Sequence, residues 1–298
     1  MPAAAKAPLD IASLQDPVRA ETICRQYALA YQNSGTVPTP VGEQIVSALL
    51  ALLRADASAP RLKLRVVTAL TTIFATAASA SEEQVAKSSA LKAHAAEQSA
   101  IPLLVDLLAK GTAQMKEQVL MALWNLALND TGTVKEAIAN AGAIPRLVAL
   151  TSRASTDKQM LKAAGALAVI CKSRSTRQQL REEPGSALAL VALMTSQTVV
   201  GPKVSAIFAL LQLSLEGPAG RRVVVSAGGL QACIDLITPP TKENRQGVSN
   251  ALGVLWELAR DAKYGEAILD LGGAPLLVGY LCKDLHVNSA VANVLYGR

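Results

Sequence analysis

Side chains that could catalyse a reaction or bind a metal are few and widely spaced in this sequence. The chain has two histidines, His94 and His286, and neither belongs to an H-x-x-x-H or H-E-x-x-H pattern. A zinc site or a histidine-assisted nucleophile therefore lacks its usual ligands and base. Glu82 and Glu83 are adjacent on an exposed segment and point in different directions, so they do not form a general acid/base pair. We expect no enzyme activity, no cofactor and no metal site.

Cysteine and glycine do not indicate a chemical site either. The four cysteines are far apart and stand among apolar neighbours: Cys24, Cys171, Cys233 and Cys282. This placement favours reduced thiols in the core of an intracellular protein. No G-x-x-x-x-G-K-[ST] or G-x-G-x-x-G pattern occurs, and the pair Gly228-Gly229 is better explained as a helix end than as a phosphate-binding loop.

The composition predicts a soluble helical protein. Hydrophobic residues make up 51% of the chain and aromatic residues only 3%, so small and aliphatic side chains must fill the core. The longest apolar runs, residues 46–53 and 187–194, are shorter than the roughly 18 residues that a membrane span needs. The N-terminal residues lack the apolar segment of a secretory signal. We therefore expect a cytoplasmic protein with no segment inserted in a membrane.

Five stretches of the chain are variants of one sequence. They read SAIPLLVDLL (99–108), GAIPRLVALT (142–151), GSALALVALM (185–194), GGLQACIDLI (228–237) and GGAPLLVGYL (272–281). Their equivalent positions Ile101, Ile144, Ala187, Leu230 and Ala274 are spaced by 43, 43, 43 and 44 residues. A period in this range predicts stacked helical repeats, each leaving an apolar face for its neighbours to cover.

Each full repeat has the pattern of three helices. A short first helix ends at a glycine, which enters the left-handed region without strain: Gly142, Gly185, Gly228 and Gly272. A second helix follows, with a proline in its first turn in three of the five copies. The third helix is the most apolar, over residues 118–128, 162–172, 205–215 and 247–259. Small residues recur in it at Ala122, Ala166 and Ala209, where neighbouring helices must approach closely.

The pattern also predicts how the chain is divided. Residues 1–40 form a helical cap, and the repeats occupy residues 41–298. Leu49 and Leu104 are equivalent but lie 55 residues apart, which indicates an inserted helix or loop near residues 78–98, with Ser81 as a helix start. The last repeat, residues 272–298, is incomplete, so we expect either a longer natural chain or an end covered by a partner.

These motifs resemble armadillo repeats. The resemblance rests on the G-A-I-P-x-L-V opening, the three-helix unit and the ALWNLA segment at residues 122–127, and it covers residues 41–298. HEAT repeats share the period but not this opening. The resemblance implies an all-α, right-handed α-solenoid of about five and a half units. The units are residues 41–96, 97–140, 141–184, 185–227, 228–271 and 272–298.

In armadillo proteins the third helices line a groove, where a ladder of asparagines holds the main chain of an extended peptide. A carboxamide suits this role because it both donates and accepts a hydrogen bond. Asn125 matches the ladder position, and its equivalents are Val169, Gln212 and Glu257. Four residues earlier, where a nuclear-import receptor would carry tryptophans, the chain has Met121, Gly165, Phe208 and Gly253, which disfavours that role. Trp124 and Trp256 precede the ladder position, and packing between repeats explains them better than stacking on a ligand.

Basic residues stand at the start of successive third helices: Lys116, Lys158 with Lys162, Lys203, and Lys242 with Arg245. Equivalent places in successive repeats point the same way, so these charges would form a stripe suited to an extended acidic segment. A solvated basic face with no target is the alternative, because the net charge of +6 is spread thinly along the chain. Nucleic acid is disfavoured, since the chain has neither interleaved aromatic residues nor a dense arginine cluster.

Two functions fit this pattern. The first is an adaptor or scaffold whose groove binds an extended, acidic partner segment. The groove residues expected from the sequence are Lys116, Met121, Asn125, Lys158, Lys162, Lys203, Phe208, Gln212, Arg245 and Glu257. The second is a permanent structural subunit of a large assembly such as a ciliary axoneme, with a ciliary or cytoskeletal location. A substrate-binding part of a ubiquitin ligase would need a further domain that the sequence does not show.

Overall fold

The computed structural model describes residues 39–55, 60–76, 81–128, 132–152, 154–196, 200–237, 245–273 and 275. All regular secondary structure in these residues is helical, so the predicted all-α class is confirmed. The predicted cap lies outside this part of the chain except for its last two residues, and so does most of residues 272–298. Five residues singled out from the sequence also lie outside it: Cys24, Lys242, Ala274, Cys282 and His286.

The chain divides into two compact units, Met1–Ala137 and Ile138–Arg298. The described helices of the first unit are α1 (Thr39–Arg54), α2 (Pro60–Phe74), α3 (Glu82–Glu97), α4 (Ala100–Lys110) and α5 (Ala113–Ala127). The boundary falls inside α6 (Thr133–Asn140). In the first unit α2 packs against α5, and α1 packs against α2 and α3.

The second unit repeats a triplet of helices. Its first helices are α9 (Arg174–Glu182), α12 (Pro218–Ser226) and α15 (Ala262–Asp270), and its second helices are α7 (Ala143–Leu150), α10 (Ser186–Met194) and α13 (Gly229–Ile237). Its third helices are α8 (Asp157–Ile170), α11 (Val200–Ser214) and α14 (Arg245–Ala259). The third helix α11 packs against both α8 and α14.

Close packing of the third helices depends on small residues, as the sequence predicts. Ala166 on α8 and Ala209 on α11 are completely buried. A Cβ atom added at Gly253 on α14 would lie 3.3 Å from the Leu211 side chain of α11. A Cβ atom added at Gly201 on α11 would lie 3.2 Å from the Leu161 side chain of α8. A Cβ atom at either glycine would therefore require the facing leucine side chain to shift by a few tenths of an ångström.

The four repeat glycines have the backbone conformation that the sequence predicts for a helix end. Gly142, Gly185, Gly228 and Gly272 have φ angles of 79°, 72°, 83° and 75°. Ser99 takes this place before α4 and is the one non-glycine residue with positive φ in the described chain, at 56°. A side chain with a Cβ is strained in the left-handed region, so Ser99 is a weak point of its junction.

The segment near residues 78–98 contains the helix α3. Ser81 caps it, with its Oγ accepting from the Gln84 backbone N–H while the Gln84 side chain accepts from the Ser81 N–H. Leu91 and Ala95 face the core and are almost fully buried. With 16 residues α3 is longer than α9, the nine-residue first helix of a later triplet. Part of the extra length here therefore lies in the first helix of the triplet.

Polar pairs join successive first helices of the second unit. Gln179 on α9 donates from Nε2 to Asn140 Oδ1 at 3.0 Å. Arg181, near the end of α9, forms an ion pair with Glu216 just before α12, with Nε and Oε2 3.2 Å apart. Arg221 on α12 donates from Nε to Oδ2 of Asp261, the residue before α15, at 2.8 Å. Polar contacts therefore join the first helices of successive repeats in the second unit.

Candidate binding surface of the third helices

Asn125 uses half of its carboxamide to hold two helices together. The side chain lies on α5 with 8% of its surface exposed, and its Nδ2 donates to the backbone carbonyl of Thr71 on α2 at 3.0 Å. Its Oδ1 accepts no hydrogen bond from the described residues and is not sealed from solvent. Asn125 can therefore still accept a hydrogen bond from a ligand N–H, while one of the two N–H groups of its amide is engaged within the protein.

Gln212 lies at the equivalent place on α11, the middle third helix of the second unit. The residue is 6% exposed, and its carboxamide forms no hydrogen bond with a described residue. Neither carboxamide atom is fully buried without a partner, so both keep access to solvent. A nearly buried carboxamide with an unused donor and an unused acceptor is costly to desolvate further unless a ligand satisfies it.

The ladder position on α14 has a carboxylate in place of a carboxamide. Glu257 is 2% exposed, and its Oε2 accepts from Arg260 Nη1 at 3.3 Å. Two turns earlier on the same helix, the buried Asn250 accepts from Gln246 Nε2 at 3.1 Å and keeps its own amide N–H groups unused within the described chain. Asn250 was not predicted from the sequence. Its spacing of seven residues before Glu257 is the signal that would have found it.

The position one turn before the ladder carries Phe208 on α11, with glycines at the matching places on α8 and α14. Gly165 and Gly253 are those glycines, and Phe208 is only partly buried. The Lys172 ammonium lies 5.6 Å from the centre of the Phe208 ring, within the range of a cation–π contact. Phe208 therefore stands between two positions that have no side chain, and its ring is partly exposed. Lys172 was not singled out from the sequence.

The basic residues predicted at the starts of the third helices lie there, except for Lys242, which is outside the described residues. Lys116 is in the first turn of α5, Lys203 is in the first turn of α11, and Arg245 is the first residue of α14. Lys158 and Lys162 are in the first two turns of α8. Lys158 and Arg245 are exposed, while Lys116, Lys162 and Lys203 are half-buried. A binding role for them stays a prediction.

Met121, Trp124 and Trp256 are each partly buried on their third helices. Met121 lies on α5 one turn before Asn125, so the two side chains share a face of that helix. Val169, at the ladder position of α8, is 6% exposed and carries no polar group. Within the second unit, the ladder position therefore has no polar group on α8, whereas α11 and α14 carry polar groups there.

The two described cysteines have no features of a reactive site. Cys171 and Cys233 are free and buried, and burial raises the pKa of each thiol to about 12. The Cys171 Sγ lies 3.8 Å from the carbonyl oxygen of Thr176, to which it donates. Both thiols therefore stay protonated near neutral pH and pack as small apolar groups, as the sequence predicts.

Among the described residues, His, Cys, Asp and Glu side chains form no cluster of three or more that could hold a metal ion. Within the same part of the chain, no helix combines the length and apolar character needed to cross a membrane.

Several solved structures with a similar architecture are engineered or designed proteins. One engineered protein is 22% identical, with 84% of this chain and 94% of its own covered and a TM-score of 0.72. Another is 23% identical, with 96% of this chain and 66% of its own covered and a TM-score of 0.79. A designed armadillo repeat protein in complex with the peptide (KR)4 is 18% identical, with 84% and 98% covered and a TM-score of 0.70. No family profile and no curated protein matches the sequence.

The chain has the armadillo-repeat fold. The helix triplets, the glycine junctions and the likeness to these structures agree, so the armadillo resemblance and the α-solenoid class predicted from the sequence are confirmed. All three identities are below 25%, so the likeness assigns the fold, while the binding properties depend on this chain's own side chains.

Proposed function

We propose that the chain is a non-enzymatic protein-interaction module, an adaptor or scaffold that binds an extended partner segment along its third helices. The observation that carries this proposal is the unused carboxamide of Gln212 on α11. A backbone amide of an extended segment offers both a carbonyl and an N–H, so one Gln212 side chain can satisfy both. Asn125 offers one acceptor of the same kind in the first unit.

The chemistry around Gln212 supports a segment with mixed side chains. Phe208 supplies an apolar surface one turn away, and Asn250 on α14 supplies unused amide N–H groups. The basic residues at the starts of the third helices, such as Lys203 on α11, favour acidic side chains in the partner. Among solved structures with this fold, one set of designed proteins is described as made for modular peptide recognition. That precedent supports peptide binding by such a scaffold.

The proposal is tested with peptides selected for binding to the full chain from a displayed library. Their affinities are then measured by fluorescence anisotropy for the wild type, Gln212→Ala and Gln231→Ala. Gln231 is the matched control because it is an exposed glutamine on α13, paired only with Asp235 of the same helix. We expect Gln212→Ala to weaken binding by about 1–3 kcal/mol and Gln231→Ala to leave it unchanged. Equal affinities for the two variants across the selected peptides would overturn the proposal.

A further inference from the structure

The carboxylate of Glu257 on α14 is nearly buried and has one partner among the described residues. Its side chain is 3% exposed, and its Oε2 accepts from Arg260 Nη1 at 3.3 Å. Its Oε1 accepts no hydrogen bond from a described residue, and it is not sealed from solvent. Because a charge is costly to remove from water, buried carboxylates are normally paired and hydrogen-bonded at both oxygens. Glu257 therefore has only part of the pairing that its burial requires.

Arg260 is a weak partner for this carboxylate. Its side chain is 60% exposed, and it reaches Glu257 from three residues further along the same helix. An exposed arginine is screened by solvent and loses conformational freedom when it holds a single contact, so such contacts contribute little. The Arg260 guanidinium can therefore leave Glu257 when a cation with a better geometry arrives.

The surface beside Glu257 suits a long basic side chain. Gly253 lies one turn earlier on the same face of α14, and a Cβ atom added there would lie 3.3 Å from Leu211 of the neighbouring helix α11. Gly253 and Leu211 are both partly exposed. Arginine and lysine pack their methylene groups on apolar surface while the charged head reaches a polar group. Leu211 can therefore support the stem of a basic side chain whose head lies at Glu257.

Glu257 also lies close to the carboxamide of Gln212, which follows Leu211 on α11. The helices α11 and α14 pack against each other, and packed helices have axes about 8–10 Å apart. An extended chain advances about 3.3 Å per residue. A segment that binds Gln212 through its main chain can therefore place a side chain at Glu257 two or three residues further along.

The ligand that fits Glu257 is an organic cation. Metal ions in proteins are held by several ligands, and the described residues contain no group of three or more His, Cys, Asp or Glu side chains that could hold one. A guanidinium is planar and presents parallel N–H groups, so it can bond both oxygens of a carboxylate at once. An ammonium is a more strongly hydrated point charge. Arginine therefore fits Glu257 better than lysine does.

We propose that Glu257 is a subsite for one arginine of the bound segment, which displaces Arg260 and packs its methylene groups on Leu211. This inference rests on the proposed function, because the segment held by Gln212 supplies the arginine. The preference at Glu257 is opposite to the acidic preference expected at the starts of the third helices. Arg245 begins α14 and Glu257 lies near its end, about 18 Å away along the helix, so the two preferences apply to different parts of the partner.

The probes are fluorescein-labelled peptides of four Thr-Arg repeats and of four Thr-Gln repeats, and the readout is fluorescence anisotropy with the full chain. The test variant is Glu257→Gln, which keeps the size of the side chain and removes its charge. The matched control is Glu266→Gln, which makes the same change in net charge at an exposed position on α15. We expect Glu257→Gln to lose about tenfold or more in affinity for the Thr-Arg peptide and to keep its affinity for the Thr-Gln peptide. The control is expected to change little with either peptide, and circular dichroism checks that both variants fold.

Two further measurements test the displacement of Arg260 and the choice of arginine. Arg260→Ala removes the competing guanidinium, so we expect it to raise the affinity for the Thr-Arg peptide by about two- to fivefold. A peptide of four Thr-Lys repeats is expected to bind the wild type several-fold more weakly than the Thr-Arg peptide, because its ammonium groups cannot bond both carboxylate oxygens in parallel.

Four results would overturn the proposal. The first is a wild type that binds the Thr-Arg peptide no more tightly than the Thr-Gln or Thr-Lys peptide. The second is equal affinity of Glu257→Gln and Glu266→Gln for the Thr-Arg peptide. The third is an equal loss for the Thr-Arg and Thr-Gln peptides in Glu257→Gln, which would make the glutamate a structural residue. The fourth is weaker binding of the Thr-Arg peptide by Arg260→Ala.

Failure of this subsite is distinguishable from failure of the proposed function. Gln212 contacts the main chain in the proposed function, so Gln212→Ala is expected to weaken the Thr-Arg and Thr-Gln peptides alike. Glu257→Gln is expected to weaken only the Thr-Arg peptide. An effect of Gln212→Ala on both peptides with no effect of Glu257→Gln would reject the arginine subsite and keep the proposed function.

Discussion

At the scale of single residues, the most unusual side chain is the buried Lys92 of α3. It is 2% exposed, and its Nζ donates to the backbone carbonyl of Leu128 at 3.0 Å and to Thr76 Oγ1 at 3.4 Å. Leu128 is the C-cap of α5, so the ammonium lies at the negative end of that helix dipole. Lys92 therefore joins α3 to the end of α5 and to the residues just after α2.

Replacing Lys92 tests this role. We expect Lys92→Met to lower the free energy of unfolding by about 1–3 kcal/mol, because the carbonyl of Leu128 loses a charged donor. The matched control is Lys87→Met on the same helix, where the ammonium pairs with Glu83 at 2.7 Å on the surface. That change is expected to have a much smaller effect, because both groups of the pair face solvent. Urea unfolding followed by circular dichroism measures both, and equal effects would contradict a structural role for the buried ammonium.

The ion pair between Arg221 and Asp261 gives a pH-dependent contribution to stability. The hydrogen bond from Arg221 has the largest effect and lowers the pKa of Asp261. Burial raises that pKa by less, and the charges of Arg221 and then Lys263 lower it further by smaller amounts. A lowered pKa in the folded state means that the unfolded state binds the proton more readily. The contribution is therefore complete above the unfolded pKa of about 3.9 and is lost as the pH falls below it.

The matched test is Asp261→Asn, which keeps the size of the side chain and removes the charge. We expect the wild type to lose more stability than Asp261→Asn between neutral pH and acid pH, with the difference appearing near and below about pH 4. Thermal unfolding across this range measures it. If thermal stability changes with pH in the same way in the two proteins, the ion pair contributes nothing to the loss of stability in acid.

At the scale of helices, the junction between the first and second helix of a triplet is set by one backbone conformation. Gly142 has no atom within 4 Å of the place where a Cβ would lie, so only its φ of 79° disfavours a side chain. Ser99, just before α4, also has a positive φ, and its backbone is strained because it carries a side chain. Exchanging glycine and serine at these two positions therefore tests the energetic effect of the backbone conformation alone.

We expect Ser99→Gly to raise the free energy of unfolding by about 0.5–1 kcal/mol and Gly142→Ser to lower it by about 1 kcal/mol. The stabilisation by Ser99→Gly is expected to be smaller than the destabilisation by Gly142→Ser, because glycine also loses more backbone entropy on folding. Both are measured by urea unfolding. A destabilised Ser99→Gly variant would mean that the serine side chain makes a contact worth more than the strain.

The same scale shows what could be predicted from the sequence. The triplets were predictable because glycine junctions and apolar third helices recur at a fixed period, and Ser81 was predictable as the start of α3. The bond from Asn125 to the Thr71 carbonyl was not predictable, because it depends on how α5 lies against α2.

At the scale of the whole molecule, the two functions left open by the sequence differ in their surfaces. A module that binds extended segments needs exposed third-helix residues and a stable single chain. A permanent subunit of an assembly also needs apolar contacts on its first and second helices. Leu188 on α10 and Leu269 on α15 are the most exposed large apolar side chains of the described residues, at 62% and 55%. They are far apart in sequence, and one lies on a second helix and the other on a first helix. Single exposed leucines are common on protein surfaces, so these two do not indicate a binding partner.

We therefore expect the full chain to be a monomer at micromolar concentration, and Leu188→Ser with Leu269→Ser to leave that state unchanged. Light scattering coupled to size-exclusion chromatography measures the mass of both proteins. A permanent subunit would instead associate as the wild type and become monomeric in the double variant, because the variant removes the apolar contacts that would hold neighbouring molecules. That outcome would favour the assembly function over the adaptor, since an adaptor keeps its binding residues on the third helices and has no need of these leucines.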